Sequence, residues 1–379
     1  MQEQVFYKRI DFNIIISVVF LSVYGLIMLY SSSMDDSLLK SQTVFLIAGF
    51  VMMLLFQFLN YKWLKYTGFL TYLGAIVLIL LLKIPSISVT KYDATRWIRV
   101  FGIQVQISEP VKVLLIIFLA YYVSTHIFEV NKTKGVIKVW AMAAVVALLI
   151  LKISSNLSSC LILLMITFCI TFISSDAKLL HYGSLAAVFA AAILLYLYFS
   201  VNSPSVAELE EIKKHSYQLA RIIAWTNPEK YVEINGYQVV QGIYAIGAGG
   251  LFGKGLGDSV QKHLLPEAQN DMIVCIIAEE LGIVGVAVLI FLYIYLIYHI
   301  LQVAINARDI FGRLICAGVM CSFTFQALVN IAVATAVIPN TGVTLPFVSA
   351  GGSAVMIAFF QVALVLSVYR KEKKRVEKN

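Results

Sequence analysis

The chain has 379 residues, of which 60% are hydrophobic and 13% charged. Soluble domains carry roughly 25% charged residues, so a soluble enzyme is excluded and a polytopic membrane protein is indicated. The net charge of +8 does not point to nucleic acid, because much of it sits in the tail Arg370-Lys371-Glu372-Lys373-Lys374-Arg375, which suits a cytoplasmic anchor facing anionic lipid.

Met1–Ile10 is polar. The apolar run after it is too long for a signal-peptide core and lacks a small-residue cleavage site, so it is expected to stay as a first membrane helix. A spanning helix needs about 20 mostly apolar residues. That rule predicts ten spans, at roughly 11–31, 42–59, 66–83, 109–128, 138–153, 157–174, 182–200, 271–300, 312–334 and 351–369. Ser154-Ser155-Asn156 breaks the nearly continuous run from 138 to 174 into a tight hairpin. The predicted fold is all-α, a single integral-membrane domain over 1–379. It is a bundle of about ten transmembrane helices with one large extracellular loop, 201–270.

Ten spans put both termini on one side. Lys8, Arg9, Lys62, Lys65, Lys132, Lys134, Lys138, Lys178, Arg308, Arg313 and the tail share that side. The opposite short loops hold Lys40 and Lys152. By the positive-inside rule the termini are cytoplasmic. One outer loop departs from the rule: Ile84–Ser108 carries Lys91, Arg96, Trp97 and Arg99. Two readings compete, an interfacial aromatic with snorkelling bases and a basic site for an anionic substrate.

The five cysteines all fall in apolar runs with no metal or redox spacing. No internal repeat stands out, which disfavours a secondary transporter.

Glu109 and Lys112, at the start of the fourth span, are three apart and share a helix face. They make either an interfacial ion pair or, given the depth of Lys112, a cavity site. The loop 201–270 opens with acids and bases and turns glycine-rich from Gly247 to Gly257. It ends in Leu265-Pro266-Glu267-Ala268-Gln269-Asn270-Asp271 at the mouth of a helix. Asp271 reads as an N-cap or as a carboxylate for chemistry. Of Glu279 and Glu280, about 100° apart on one helix, one is expected to face a cavity and the other to pair with a base or cap a loop. The last outer loop, Asn330 through Ser353, has no ionisable group and reads as a wall or groove.

Together these stretches resemble the SEDS family of FtsW, RodA and SpoVE. The resemblance rests on Arg96-Trp97-Ile98, on Ser108-Glu109 with Lys112, and on Arg221 and Gly236-Tyr237-Gln238. It extends through the glycine-rich stretch to Gly255, through Leu265 to Asp271, Ala278 to Gly282, and Asn330 to Ser353. Gly257 to Lys262 is closer to FtsW and SpoVE than to RodA. Ser154 to Ser159 stands where the family usually has Gln-Pro-Asp-Leu-Gly-Thr, so Asn156 replaces an acid. Ala350 replaces a usual Tyr, and Gln269-Asn270 a usual His-Thr.

The resemblance implies a peptidoglycan glycosyltransferase of the bacterial cytoplasmic membrane. Such a protein polymerises lipid II at the outer face for cell division or sporulation, paired with a class B penicillin-binding protein. It implies Asp271 as the catalytic carboxylate and Arg96, Trp97, Glu109, Lys112, Arg221, Gln238 and Glu267 as substrate-binding positions. A pyrophosphate leaving group needs cations rather than a second carboxylic acid, so one general base suffices. Arg96, Lys112 or a divalent metal ion, Mg or Mn, would neutralise the developing charge. The rival readings are a catalytically weak scaffold that recruits a transpeptidase, which the lost hairpin acid allows, and a lipid II flippase. A flippase needs the same anionic-lipid site but not Asp271 as a base.

Overall fold

The computed structural model describes residues 11–33, 36–91, 94–100, 102 and 103–370. The basic cluster Lys371–Arg375, with Lys8 and Arg9, lies outside the described residues. Among the described residues nine helices are long and apolar enough to cross a membrane, and a shorter apolar one completes the predicted ten.

The chain begins with α1 (Phe12–Ser32), capped by the Asp11 side chain, and α2 (Asp36–Phe56). A short turn of helix, α3 (Trp63–Tyr66), leads into α4 (Gly68–Leu81). At 14 residues α4 is the short member. The loop expected over 84–108 is instead an antiparallel three-stranded sheet: β1 (Ser88–Lys91), β2 (Ala94–Val100) and β3 (Ile103–Gln106). The β-branched and aromatic residues of Ala-Thr-Arg-Trp-Ile-Arg-Val are the signal that marks it.

After α5 (Ser108–Thr125) and the short α6 (Ile127–Val130), α7 (Thr133–Ser154) and α8 (Leu157–Ser174) form the predicted hairpin. Ser155 adopts left-handed backbone, φ +49. Asn156 caps α8, its side chain accepting from the Ser159 N–H at 3.0 Å. α9 (Lys178–Val201) lies at the periphery and buries only His181.

The stretch 201–270 is helical where a polar loop was expected. α10 (Val206–His215) carries a complete capping box between Ser205 and Glu208. α11 (Tyr217–Thr226) and α12 (Tyr237–Gly249) follow, joined through a π turn. Capping residues and an apolar stripe override the polar composition there. The bundle closes with α13 (Ile273–Asn306), α14 (Ile310–Ala334) and α15 (Gly352–Arg370). α2 packs on α15, α13 on α14 and α1, and α12 on α13.

α13 is broken at Gly282, φ +67 and ψ −163. A helix there would bond the Ile283 and Val284 N–H groups to the carbonyls of Glu279 and Glu280. Instead those N–H groups donate to the Gly250 and Leu251 carbonyls, at 3.0 and 3.2 Å. The Glu279 and Glu280 carbonyls accept from the Lys254 and Gly255 N–H groups, at 2.9 and 3.0 Å. The glycine-rich loop therefore replaces, bond for bond, the turn that α13 gives up. A Cβ on Gly282 would lie 2.4 Å from the Leu251 carbonyl oxygen, which explains why glycine stands there.

Candidate active site

Ser108, Ser154, Ile273 and Ala334 are all helix ends that meet at one end of the bundle. There the sheet, α2, α11, α12, the loop before α13 and the loop after α14 line a cavity of about 490 Å³. Arg96, Trp97, Arg221, Gln238, Glu267 and Asp271 all line it. Six sequence-separated candidates are thus brought to one place. Glycine and small residues of the last outer loop, Gly342 and Ala350 to Ala354, form the opposite wall.

Asp271 does not cap α13. The helix begins after Met272, without a side-chain cap. The Asp271 carboxylate accepts from Gln238 Nε2 at 3.4 Å. Gln238 is fixed in turn: its Nε2 also reaches the Pro266 carbonyl at 3.1 Å, and its Oε1 accepts from Asn340 Nδ2 at 2.5 Å. Arg221 donates to the Asn340 carbonyl at 3.3 Å and lies over the Tyr217 ring at 4.6 Å. Arg96 is anchored from below, donating to the carbonyls of Ser154 and Ser155 at 3.4 and 3.2 Å. A Cβ placed on Gly342 would lie 3.8 Å from both Arg96 Nη1 and Asp271 Oδ2, so this glycine fills the space beside the arginine and the carboxylate.

The electrostatics follow. Burial pushes the Asp271 carboxyl up to about 6, against the pull of Arg221 and Arg96, with Glu267 adding to the rise. Burial and the like charge of Arg221 lower the pKa of Arg96. Two guanidiniums that repel each other across one cavity are an arrangement an anion stabilises. Glu267 is held in left-handed backbone, φ +53, a strained conformation for a residue with a Cβ.

Glu109 and Lys112 are corrected in place: the structure does not bring them to the cavity wall. They form an ion pair of 2.9 Å with side chains 9% and 2% exposed. Glu109 lies beside Ser349, Gly351 and Gln361, under the turn that floors the cavity. The pair is cavity-deep, as the depth of Lys112 suggests, but its charges are spent on each other. Neither Glu279 nor Glu280 lines the cavity. Glu279 does both things expected of one such residue. It pairs with Lys254 at 2.6 Å, accepts from Ser259 at 2.5 Å, and caps the Val260 and Gln261 N–H groups. Glu280 accepts from the Ser31 hydroxyl.

Sequence reasoning missed Gln42, Tyr217 and Ser353. Gln42 is buried in α2 and donates to the Ser349 carbonyl at 3.2 Å while accepting from the Gly351 N–H at 3.1 Å. It stands in the polar run Lys40-Ser41-Gln42-Thr43, so no local pattern sets it apart. Ser353 accepts from the Gln106 N–H at 3.3 Å and ties the sheet to α15.

Among the described residues no group of three or more His, Cys, Asp or Glu is placed to hold a metal. The carboxylates on the cavity wall are Glu267 and Asp271. Mg²⁺ is commonly held by one or two carboxylates with substrate phosphates completing the shell, and this pair fits that role.

The chain matches the family described as cell cycle protein, FtsW, RodA and SpoVE, over residues 12–374. It is 32% identical over 369 residues to the probable peptidoglycan glycosyltransferase FtsW of Trichlorobacter lovleyi, covering 94% of this chain and 92% of that protein. It is 30% identical over 373 residues to the stage V sporulation protein E of Bacillus subtilis, covering 95% and 97%. Among solved structures it resembles a chain from work on the structural coordination of polymerization and crosslinking by a peptidoglycan synthase complex. That likeness has 25% identity and a TM-score of 0.79 over 97% of this chain and 100% of that one. The Thermus thermophilus rod shape determining protein RodA shares the fold, with 23% identity and a TM-score of 0.68 over 96% and 98%.

Proposed function

The chain belongs to the FtsW, RodA and SpoVE family of cell cycle proteins, and on that premise we propose that it is a peptidoglycan glycosyltransferase that polymerises lipid II with Asp271 as its general base. The observation that carries the assignment is one carboxylate, raised to about 6, in a cavity shared with two arginines.

The steps follow from those groups. Asp271 takes the proton from the acceptor hydroxyl, whose oxygen attacks the anomeric carbon of the donor sugar. The bond from that carbon to the pyrophosphate breaks, and the lipid pyrophosphate leaves with its electron pair. Arg96 and Arg221 stabilise the charge that develops on it. A base with a pKa near 6 is ionised at neutral pH and still basic enough to accept a proton in the transition state. Gln238 orients the carboxylate, and Trp97 offers an apolar face for a sugar ring. Glu109 and Lys112 act as a positioning pair beneath the floor rather than as substrate contacts. Glu267 and Asp271, together with the substrate's phosphates, would hold a divalent ion, which would supply positive charge at the leaving group.

Apart from the sheet, the short loops at the cavity end carry Lys40 and Lys152, whereas Lys62, Lys65, Lys132, Lys134, Lys138, Lys178, Arg308 and Arg313 lie at the other end. The cavity therefore faces outward and both termini are cytoplasmic. The partner is a penicillin-binding protein, of class B, which crosslinks the strands made here. The purified protein, alone and with class B partners, should convert lipid II to glycan, and Asp271→Asn should reduce the rate by at least about 1,000-fold, a loss in the range expected for removing an essential proton acceptor. Wild-type polymerisation by Asp271→Asn would refute the assignment. Transbilayer movement of lipid II without polymer would replace it with the flippase.

A further inference from the structure

A second cavity, of about 810 Å³, lies at the end of the bundle away from Asp271. α2 starts at the catalytic cavity with Leu38 and Ser41 and ends at Phe56; α5 starts beneath it and ends at Thr125; α14 runs toward it from Ile310. The far ends of α5 and α14, with α3 and the residue before it, line the second cavity. Lys62, Lys65, Tyr66, Tyr121 and Asp309 line it.

Its depth in the membrane can be read from aromatic residues. Phe58, Trp63 and Tyr66 are 59%, 66% and 89% exposed on and beside α3, and exposed Trp and Tyr at a helix end sit at headgroup level. Its charge is cationic, since Lys62 and Lys65 outnumber the one carboxylate on its wall, Asp309. Lys65 makes no ion pair among the described residues, and Lys62, half exposed, reaches Asp309 only at 3.7 Å. Asp309 is occupied elsewhere: Oδ1 accepts from the Gly312 N–H at 2.8 Å as the cap of α14, and Oδ2 from the Tyr61 hydroxyl at 2.6 Å. The Tyr66 and Tyr121 hydroxyls donate to no other described residue. Two ammonium groups, one of them only loosely paired, and two phenolic donors therefore line a recess at the depth where lipid phosphates lie.

We propose that this recess binds the phosphate headgroup of an anionic phospholipid from the leaflet at that end. Basic recesses between membrane helices suit such headgroups, each nearby Lys contributing attraction that a flat surface would screen. The site is separate from the Asp271 cavity and does not rest on the glycosyltransferase reading.

The test titrates the full-length detergent-purified protein with phosphatidylglycerol and, in parallel, with phosphatidylcholine, and counts bound lipid by native mass spectrometry. Phosphatidylglycerol is expected to bind in preference. The double variant Lys62→Gln/Lys65→Gln should bind it on the order of tenfold more weakly. Lys132→Gln/Lys134→Gln, at the same end but outside the recess, should bind it as the wild type does. Equal binding of the two lipids, or equal losses in the two double variants, would overturn the proposal. Displacement of phosphatidylglycerol by millimolar inorganic phosphate would show a soluble-anion site and overturn the lipid assignment. The comparison of the two lipids on the wild type needs no variant to fold.

Discussion

The side-chain amide of Asn330 donates to the main-chain carbonyl of Asp271 at 2.9 Å and to that of Val343 at 2.7 Å. One buried group on α14 thus ties the loop that carries Asp271 to the opposite wall. Asn330→Ala would leave both carbonyls without this donor, a loss of about 1–3 kcal/mol. It should lower kcat by about tenfold or more, by the factor one misplaced hydrogen bond makes in a barrier, with KM for lipid II little changed. Steady-state kinetics on the purified variant decide it, and an unaltered kcat would remove Asn330 from the positioning role.

The raised pKa of Asp271 predicts an acid limb in the pH profile. With a value of about 6, kcat should be level above about pH 7 and fall tenfold per unit below 6. The stability sign is the reverse of the usual carboxylate case. The folded state holds the proton more tightly than the unfolded chain, whose value is 3.8, so stability declines as pH rises from about 4 through 6. Asp271→Asn is neutral throughout and should be more stable than wild type at pH 7.5 by about 1–3 kcal/mol. A thermal melt that shows no gain would mean the carboxylate is not held at an unfavourable site.

Lys112→Met should destabilise the protein by about 3–5 kcal/mol, because it leaves the Glu109 charge buried and unpaired. The double change Lys112→Met/Glu109→Gln should recover most of that loss. Thermal melts of the three proteins in detergent give the answer. If the single variant melts with wild type but fails to use lipid II, the pair contacts substrate after all.

Glu279→Ala removes the partner of Lys254, Ser259 and two loop N–H groups together. The loop around Val260 should then open. We expect protease cleavage between residues 254 and 264 to accelerate by at least tenfold, with a stability loss of about 3–5 kcal/mol. Unchanged protection of that loop would show that the main-chain bonds to the broken turn suffice without the side chain.

Asn156→Asp should change polymerase activity less than threefold, because Asp caps a helix about as well as Asn and the hairpin contributes to the site through main-chain carbonyls. A gain of a hundredfold in the polymerisation assay would show instead that the acid is required there.

Much of this was readable in the sequence, and the misses have physical causes. Span positions follow from hydropathy, which depends on composition alone. The family pattern names Arg96, Arg221, Gln238 and Asp271 as site residues, but no local spacing joins residues 96 and 271, and only the structure puts them in one cavity. The i,i+3 spacing of Glu109 and Lys112 gave their common face. Which way that face points depends on the packing of α14 and α15, which no local pattern records. The helices within 201–270 were hidden by polar composition, although Ser205 with Glu208 spells a capping box. Gln42 carries no local signal, because it stands between Ser41 and Thr43 just after Lys40, where a polar residue reads as an ordinary helix start.

The break at Gly282 gives α13 a mechanical property that a continuous rod lacks. Its two halves are joined by one glycine and by four hydrogen bonds that run through a separate segment, Gly250 to Gly255. Torque applied to the outer half is therefore shared with that segment and with α12 immediately before it, the helix that carries Gln238. Removing a single residue between Gly250 and Gly255 would put those four bonds out of register, because the Gly250 and Leu251 carbonyls and the Lys254 and Gly255 N–H groups would no longer all reach their partners on α13. The length of the loop is therefore matched to the gap it fills.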